Sequence, residues 1–478
     1  MFNIQGLSGL YSPSSTAWVL LAGSLGTILF YTVALVLYNV YLHPLARYPG
    51  PTAMAATRIP YMRLTIGGRF PQTIKQLHER YGKVVRIAPN ELSFTDREAW
   101  KAIYGTRPRH GQKGKDFRFY SPTAGGAPSI IVSNDADHSR FRRLMAHGFS
   151  DSSLRGQEPI IYGNVDLLMQ RLQEKCEEGE VVDLVKWYNF TTFDIIRDLA
   201  FGEPFDRLPQ ELQLSPMGVK TAAYANVARR LPGSLALLKL ITPKHIIAEK
   251  DIHAALTTEK HENTEKGFTT QELVSNGSTI IIAGSETTAT LLSGVTYLLL
   301  KSPRVLSKLQ DEIRSTFSDE SEIDLESCNK LEYCLAVLTE ALRVYPPVGP
   351  GLPRIVDAQG DMIAGNWVPG GTIVSISQLA ANHSSDNFTD PERFIPERHL
   401  GDPRFANDSK TAMQPFSFGP RNCIGRNLAY VEMRLILARM VFNFDMELDQ
   451  PGSDWLHQEC FLLWQKPSLP VKSIPRHK

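Results

Sequence analysis

A cysteine in a glycine-flanked loop is the strongest candidate for chemistry in this sequence. Cys423 lies in the stretch FSFGPRNCIG, residues 416–425, directly before a segment with helical periodicity. Glycines let backbone N–H groups approach a sulfur atom, and a helix N-terminus lowers the pKa of a nearby thiol. Arg421, two residues earlier, could reach an anionic group. The context favours a metal thiolate, whereas a cysteine without such surroundings is more often an inert buried thiol.

A second candidate places an acid beside an alcohol within an apolar stretch. Residues 283–288 read AGSETT, so Glu286 and Thr287 are neighbours and Gly284 removes bulk that would crowd a ligand. Such a pair can carry protons to a reacting centre. The alternative is structural: the threonine hydroxyl bonds back to the carbonyl four residues earlier, and the glutamate faces solvent.

Two charged residues at helical spacing predict an ion pair. Glu340 and Arg343 are three positions apart in the stretch EALR and share one face of a helix. Arg393, in the stretch PERF at residues 391–394, could join them in a buried charge network. A solvated surface pair is the alternative, since ExxR spacing is common and such pairs are weak.

These residues need elements that position them, and the clearest is a long helix. Thr269 and Glu272 have the spacing of a capping box, and the apolar stretch that follows ends before Pro303. This predicts a helix of about 30 residues that crosses the whole body. Residues 83–94 predict a strand, a turn and a second strand. Apolar residues at spacings of three and four predict further helices over residues 306–317, 331–342 and 424–435.

Composition excludes several classes of partner. The chain has 478 residues, of which 42% are hydrophobic and 21% charged, which suits one large fold or two domains. Its 51 Lys and Arg residues nearly cancel its 50 Asp and Glu residues, so no field of one sign indicates nucleic acid as a partner. Five cysteines without CxxC or CxxH spacing argue against a disulfide framework or structural zinc and favour a reducing compartment.

An uncharged stretch near the N-terminus predicts a membrane anchor. Residues 18–38 are 21 residues without a charge, about the length that crosses a bilayer core. A buried core helix or a cleaved signal peptide fits less well, because the stretch is long and no Lys or Arg precedes it. The first basic residue, Arg47, follows the span and places the bulk of the chain in the cytosol. The expected divisions are a short lumenal N-terminus at 1–17, a single transmembrane helix at 18–38, a proline-rich linker at 39–60 and a catalytic domain at 61–478.

The cysteine loop resembles that of a known family. Its pattern, FxxGxRxCxG, resembles the haem-binding loop of cytochromes P450 at every fixed position, and AGSETT, EALR and PERF precede it in the family's order. The resemblance covers nearly the whole chain and implies a mainly α fold with a smaller β region. It also implies haem b as the cofactor and Cys423 as the axial ligand of the iron, since an electron-rich sulfur favours O–O cleavage.

Two further motifs take on roles through this resemblance. In the family, the acid and the alcohol, here Glu286 and Thr287, serve a proton path to the oxygen-binding side of the iron. Residues matching Glu340, Arg343 and Arg393 form a structural triad in the family. We therefore expect a proton path on the long helix and a charge network remote from it.

The haem itself is expected to contact several residues across the chain. Many family members carry Trp-xxx-Arg where this chain has His138 and Arg142. This is a departure from the commoner pattern, although a histidine can still donate through a ring nitrogen. The residues expected to hold the haem and its propionates are Arg421, His138, Arg142, Arg354, Phe416, Gly419 and Gly425.

The resemblance implies a haem-thiolate monooxygenase at the endoplasmic reticulum. Such an enzyme inserts one oxygen atom from O2 into an apolar small molecule, with electrons from a membrane-bound NADPH–cytochrome P450 reductase. The stretches DADHSRFRRLMAHGFSD and YLHPLARYPGP look most like filamentous-fungal enzymes of secondary metabolism, including the trichothecene hydroxylase group. Two alternatives stay open: a haem-thiolate isomerase or dehydratase, against which the intact pair of Glu286 and Thr287 argues, and a haem protein inactivated by a shortened segment.

That segment lies between Pro243 and Thr270. Only about 27 residues separate the two, which is room for one helix and a short loop. Resemblance to fungal members implies the end of one helix, a loop and a further short helix here, so roughly 20 residues are absent. Either the gene model omits coding sequence or the enzyme itself is shorter here.

Overall fold

Helices make up most of the described part of the chain. The computed structural model describes residues 13–107, 111–120, 126–201 and 267–476. The mainly α architecture with a smaller β content agrees with the prediction. The longer helices of the body span Phe70–Tyr81, Asp135–Met145, Glu158–Glu177, Leu184–Phe201, Thr270–Leu300, Pro303–Thr316, Glu332–Val344 and Arg426–Asn443. Shorter ones span Thr52–Ala56, Ile59–Ile66, Glu98–Tyr104, Asp151–Gly156, Leu325–Cys328 and Gln378–Asn382.

The β structure forms two sheets and a hairpin. The five-stranded sheet has the order β1-β2-β8-β5-β3, the three-stranded sheet has the order β4-β10-β9, and β6 pairs with β7. The predicted strand, turn and strand at residues 83–94 are β1 and β2, which pair antiparallel. The strands are β1 Val84–Ala88, β2 Glu91–Phe94, β3 Gly114–Lys115, β4 Val182–Asp183, β5 Arg354–Ile355, β6 Asp361–Ile363, β7 Asn366–Val368, β8 Ile373–Ile376, β9 Phe444–Leu448 and β10 Pro470–Pro475.

The centre of the body is Thr270–Leu300, the long helix. Its predicted capping box is present, because Thr269 Oγ1 accepts from the N–H of Glu272 at 3.2 Å and Glu272 Oε2 accepts from the N–H of Thr269 at 2.8 Å. The long helix packs against Leu184–Phe201, against Glu332–Val344, the ExxR helix, and against Arg426–Asn443, the cysteine helix. Its second half is buried on all sides, which explains its continuous apolar sequence.

The N-terminal helix stands outside this body. It spans Pro13–Leu37 and continues as a π-helical turn at Tyr38–Leu42. The apolar span, Ala17–Leu42, is 26 residues long, and its most apolar part is not buried against the rest of the protein. It ends four residues after the predicted end at residue 38. This helix is long and apolar enough to serve as a single membrane anchor.

The proline-rich linker folds onto the body. Leu45 is completely buried in the core next to the five-stranded sheet. The N–H of Arg86 in β1 donates to the carbonyl of Pro49 at 2.8 Å. Asn39 donates from Nδ2 to the carbonyl of Ala56 at 2.9 Å and so ties the end of the anchor to the linker. Of the shortened segment at 243–270, residues 243–266 lie outside the described residues.

Candidate active site

The loop before Cys423 makes a tight turn. Ser417 and Gly419 have positive φ angles of 62° and 77°. The backbone N–H of Cys423 donates to the carbonyl of Phe416 at 2.8 Å and closes the loop. A Cβ on Gly419 would lie 2.1 Å from the carbonyl oxygen of Tyr104, so this position requires glycine both for its φ and for the close approach.

The Cys423 thiol is solvent-accessible although it lies deep among protein atoms. Burial raises the pKa of the thiol, while the backbone N–H of Gly425 and the charges of Arg142 and Arg426 lower it. We expected only the lowering effects, and desolvation outweighs them. A Cβ on Gly425 would lie 4.0 Å from Sγ, an ordinary contact. The thiol is therefore surrounded by protein atoms and still accessible, which an axial ligand of a haem iron would need to be.

Arg142 braces this loop from the helix Asp135–Met145. Its Nη1 donates to the carbonyl of Asn422 and its Nη2 to the side-chain oxygen of the same residue, both at 2.6 Å. This two-point grip fixes the backbone next to Cys423. The terminal nitrogens of Arg142 thus hold the loop, where we expected them to hold a propionate.

Besides Arg142 and Arg426, four basic side chains of the described residues lie near the loop and act on one another, and we call them the cation cluster: Lys115, His138, Arg354 and Arg421. The register of β3 and β5 places Lys115 opposite Arg354. Arg421 Nη2 pairs with Asp135 at 2.6 Å. His138, Arg354 and Arg421 are expected from the sequence, whereas Lys115 is not.

The members of the cation cluster act on one another electrostatically. Burial, and then the charges of Arg421 and Arg354, lower the pKa of Lys115 to about 6. Burial, and then the charges of Arg421 and Lys115, lower the pKa of His138 to about 4. His138 and Lys115 are therefore mostly neutral hydrogen-bonding groups at pH 7, and the two arginines of the cluster supply the positive charge that favours binding of an anion.

One atom of the cluster identifies the kind of group that fits. The Arg421 side chain is 6% exposed, and its Nη1 is buried without a hydrogen-bond partner among residues 13–107, 111–120, 126–201 and 267–476. A buried guanidinium nitrogen destabilises the fold unless an acceptor reaches it. The carboxylates on the edge of a haem are acceptors of the required charge. The residues present therefore fit a haem: the cation cluster would hold its propionates, and Cys423 would supply the thiolate for its iron.

The acid and the alcohol lie on the long helix and are both half-buried. Thr287 Oγ1 donates to the carbonyl of Ala283 at 2.6 Å, as the structural alternative requires. Glu286, however, does not face bulk solvent, because its Oε2 accepts a hydrogen bond from Lys466 at 2.8 Å. A hydroxyl that donates to a carbonyl still accepts hydrogen bonds through its lone pairs. The threonine can therefore receive a proton donor and orient it.

The reason that we expected for Gly284 is wrong. A Cβ at this position would lie 2.7 Å from Cγ1 of Ile196, on the helix Leu184–Phe201. Close packing of two helices therefore explains the glycine, and space for a ligand is not needed to explain it.

A buried carboxyl links the acid–alcohol turn to the cysteine helix. Glu432 is 1% exposed and hydrogen-bonds with the side chain of Thr288, the neighbour of Thr287. Burial raises the pKa of Glu432 to about 8, so the carboxyl is mostly protonated at pH 7. The bond joins the helix that follows Cys423 to the turn that carries the candidate proton path.

The predicted ion pair between Glu340 and Arg343 is present and completely buried, at 2.8 Å. The prediction that Arg393 joins it is wrong, because the Arg393 side chain is 72% exposed. Arg398 takes that place and donates from Nε to Glu340 Oε1 at 3.0 Å. The chain contains two Pro-Glu-Arg stretches five residues apart, and the second one reaches the network. Arg393 contributes its backbone carbonyl, which accepts from Arg343 at 2.8 Å.

Four residues of the site are not predicted from the sequence: Lys115, Arg398, Glu432 and Lys466. For Arg398 the signal was the repeated Pro-Glu-Arg. For Glu432 it was a charge directly between the apolar residues Val431 and Met433. Lys115 and Lys466 stand in short, irregular stretches, and no local pattern marks them.

Comparison with known proteins agrees with this geometry. The sequence profile of the cytochrome P450 family matches residues 55–243 and 243–472, and this chain belongs to that family. It is a haem-thiolate monooxygenase of the family, which uses O2 and a redox partner. The cysteine loop, the long helix and the mainly α fold are thus explained together.

Several fungal proteins are similar to this chain over nearly its whole length. Averantin hydroxylase of Dothistroma septosporum is 46% identical over 95% of this chain and 91% of its own length. Cytochrome P450 monooxygenase aclL of Aspergillus oryzae is 43% identical over 94% of this chain and 97% of its own. Cytochrome P450 monooxygenase atr2 of Stereocaulon alpinum is 42% identical over 99% of this chain and 97% of its own.

The alignment with the Stereocaulon alpinum protein bears on the shortened segment. It extends over 503 positions, although this chain has only 478 residues. That relative therefore contains residues with no counterpart here. The family profile also matches in two parts that meet at residue 243, where the segment begins.

Proposed function

We propose that the protein hydroxylates an apolar small molecule in a fungal secondary-metabolite pathway, with haem b held through Cys423. Haem b, when bound, supplies the activation of dioxygen. The averantin hydroxylase of Dothistroma septosporum, by its name, performs a reaction of this kind. The observation that supports the proposal most is the position of Arg421 Nη1, which is buried without a hydrogen-bond partner among residues 13–107, 111–120, 126–201 and 267–476, two residues before Cys423 in the same loop.

Different residues of the chain bind the cofactor, position the cysteine loop and transfer protons in this proposal. The cation cluster holds the propionate edge, and Arg142 fixes the loop backbone through Asn422. Thr287 and Glu286 form the proton path, with the threonine hydroxyl as acceptor for the group that delivers the proton. The family's general mechanism needs such a path, whereas an isomerase or dehydratase does not.

The apolar N-terminal helix supports a proposal about the electron donor and the location. We propose that NADPH–cytochrome P450 reductase supplies the electrons and that the catalytic domain faces the cytosol from the endoplasmic reticulum membrane. The basic residues that follow the span support this orientation, because positive charge stays on the cytosolic side. Fractionation of cells that express the full chain, and a variant without residues 1–38, should show membrane retention that depends on those residues.

Thr287→Ala tests the proposed reaction. With reductase and NADPH, we expect this variant to keep haem and to form about tenfold less product per NADPH, with hydrogen peroxide released instead. Thr279→Ala is the matched control, because Thr279 lies on the same helix and donates to the carbonyl of Ser275 at 2.8 Å in the same way. Unchanged coupling in Thr287→Ala would reject the proton path, and turnover without NADPH would favour an isomerase.

A further inference from the structure

Lys466 is a buried cation to which the proposed reaction assigns no role so far. Its Nζ donates to Glu286 Oε2 and to Thr290 Oγ1, both at 2.8 Å. The Lys466 side chain is 4% exposed, the Glu286 side chain is 17% exposed, and Thr290 is completely buried. Glu286 and Thr290 are one turn apart on the long helix, so the ammonium group spans that turn.

The segment that carries Lys466 is fixed on both sides. Before it, Trp464 Nε1 donates to the carbonyl of Pro346 at 2.7 Å. After it, the carbonyl of Pro467 accepts from Trp455 Nε1 at 3.1 Å. These two hydrogen bonds hold the backbone around Lys466. The position of the ammonium group is therefore set by this segment and not by Glu286 alone.

We infer that Lys466 is a positioning residue, which holds the Glu286 carboxylate in the orientation from which it serves Thr287. This inference rests on the proposed function and deepens it. Exposed ion pairs are weak because water screens them and their side chains move. This pair is largely withdrawn from water and has a second hydrogen bond to Thr290, so one arrangement of Glu286 is favoured. Without the ammonium group, the half-buried carboxylate would turn toward other donors or toward water.

Substitution of Lys466 tests the inference in the haem-loaded enzyme with reductase. We expect Lys466→Met to increase peroxide released per NADPH by about three- to tenfold, with substrate binding little changed. Lys466→Arg should restore most of the coupling, because a guanidinium can reach the same oxygen. Lys472→Met is the matched control, since Lys472 lies six residues on, is 61% exposed and pairs with Asp449 at 3.3 Å.

Combination with Glu286→Gln separates the inference from the proposed function. If Lys466 acts through Glu286, the double variant should couple as poorly as Glu286→Gln alone and no worse. This comparison also holds if Lys466→Met alone loads haem poorly, because the double variant leaves no unpaired charge. Two results would overturn the role of Lys466 only. In one, the losses of coupling in the two single variants add in the double variant. In the other, Lys466→Met couples NADPH to product normally while Glu286→Gln does not. Normal coupling in Glu286→Gln would instead contradict the proton path itself.

Discussion

Arg398 Nε lies 3.0 Å from Oε1 of Glu340, and both side chains are completely buried. Arg398 also pairs with the buried carboxylate of Asp408. Burial would raise the pKa of Glu340, but hydrogen bonds from His399 and Arg343 and the charge of Arg398 bring it down to about 2. The carboxylate is therefore charged near pH 7, and each arginine in the network needs its partner.

Arg398→Met should unfold the domain far more readily than Arg393→Met. Removing Arg398 leaves Asp408 and part of Glu340 as buried charges, at a cost of about 3–5 kcal/mol. Arg393 is 72% exposed and 3.6 Å from Asp390, so its loss should change the free energy of unfolding by less than about 0.5 kcal/mol. Thermal unfolding and haem content of the two variants measure the difference. Equal effects would show that the second Pro-Glu-Arg is not the structural one.

Glu432→Gln should change how stability depends on pH. Burial raises the pKa of Glu432 from 4.5 to about 8, so folding takes up a proton between these values and stability falls as pH rises across them. Glutamine is neutral throughout and lacks this loss. We therefore expect the variant and the parent to unfold at similar temperatures near pH 4.5, and the variant to be more stable by a few kcal/mol near pH 8. Parallel curves over this window would mean that Glu432 is ionised in the folded protein.

The shortened segment predicts a longer transcript or a less stable enzyme. Sequencing of the transcript across the codons for residues 254–268 should reveal additional coding sequence if the gap is a gene-model error. If the transcript matches the chain as written, burial lost from one helix face should lower stability by several kcal/mol relative to full-length relatives. A melting temperature equal to theirs, with a matching transcript, would contradict the second expectation.

Much of the fold could be predicted because local signals and burial agree. The long helix has its capping box at Thr269, an uninterrupted apolar stretch and Pro303 just beyond its end, and the structure has it at Thr270–Leu300. The strands at residues 83–94 were equally clear, since a turn separates a run rich in β-branched residues from a run in which Leu92 and Phe94 alternate with polar residues. The linker was harder: its prolines predict a connector, but the burial of Leu45 depends on the distant five-stranded sheet.

The site was predictable where motifs mark it and obscure where tertiary packing decides. Cys423 and Gly419 belong to one continuous pattern. Lys115 enters only because β3 pairs with β5, and Lys466 only because the C-terminal segment crosses the long helix. Neither of these long-range contacts is marked by a periodic pattern in the sequence. The choice between Arg393 and Arg398 likewise depends on which of two identical tripeptides turns inward.

The most direct test of the central claim is the carbon monoxide difference spectrum of the dithionite-reduced protein with and without Cys423. The parent should show the thiolate-type spectrum, because the charged sulfur donates electron density to the iron. Cys423→Ser should lose that spectrum and the monooxygenase activity, while Cys460→Ser, which changes a buried cysteine outside the loop, should keep both. A thiolate-type spectrum that persists in Cys423→Ser would contradict the assignment of the axial ligand and of the site built around it.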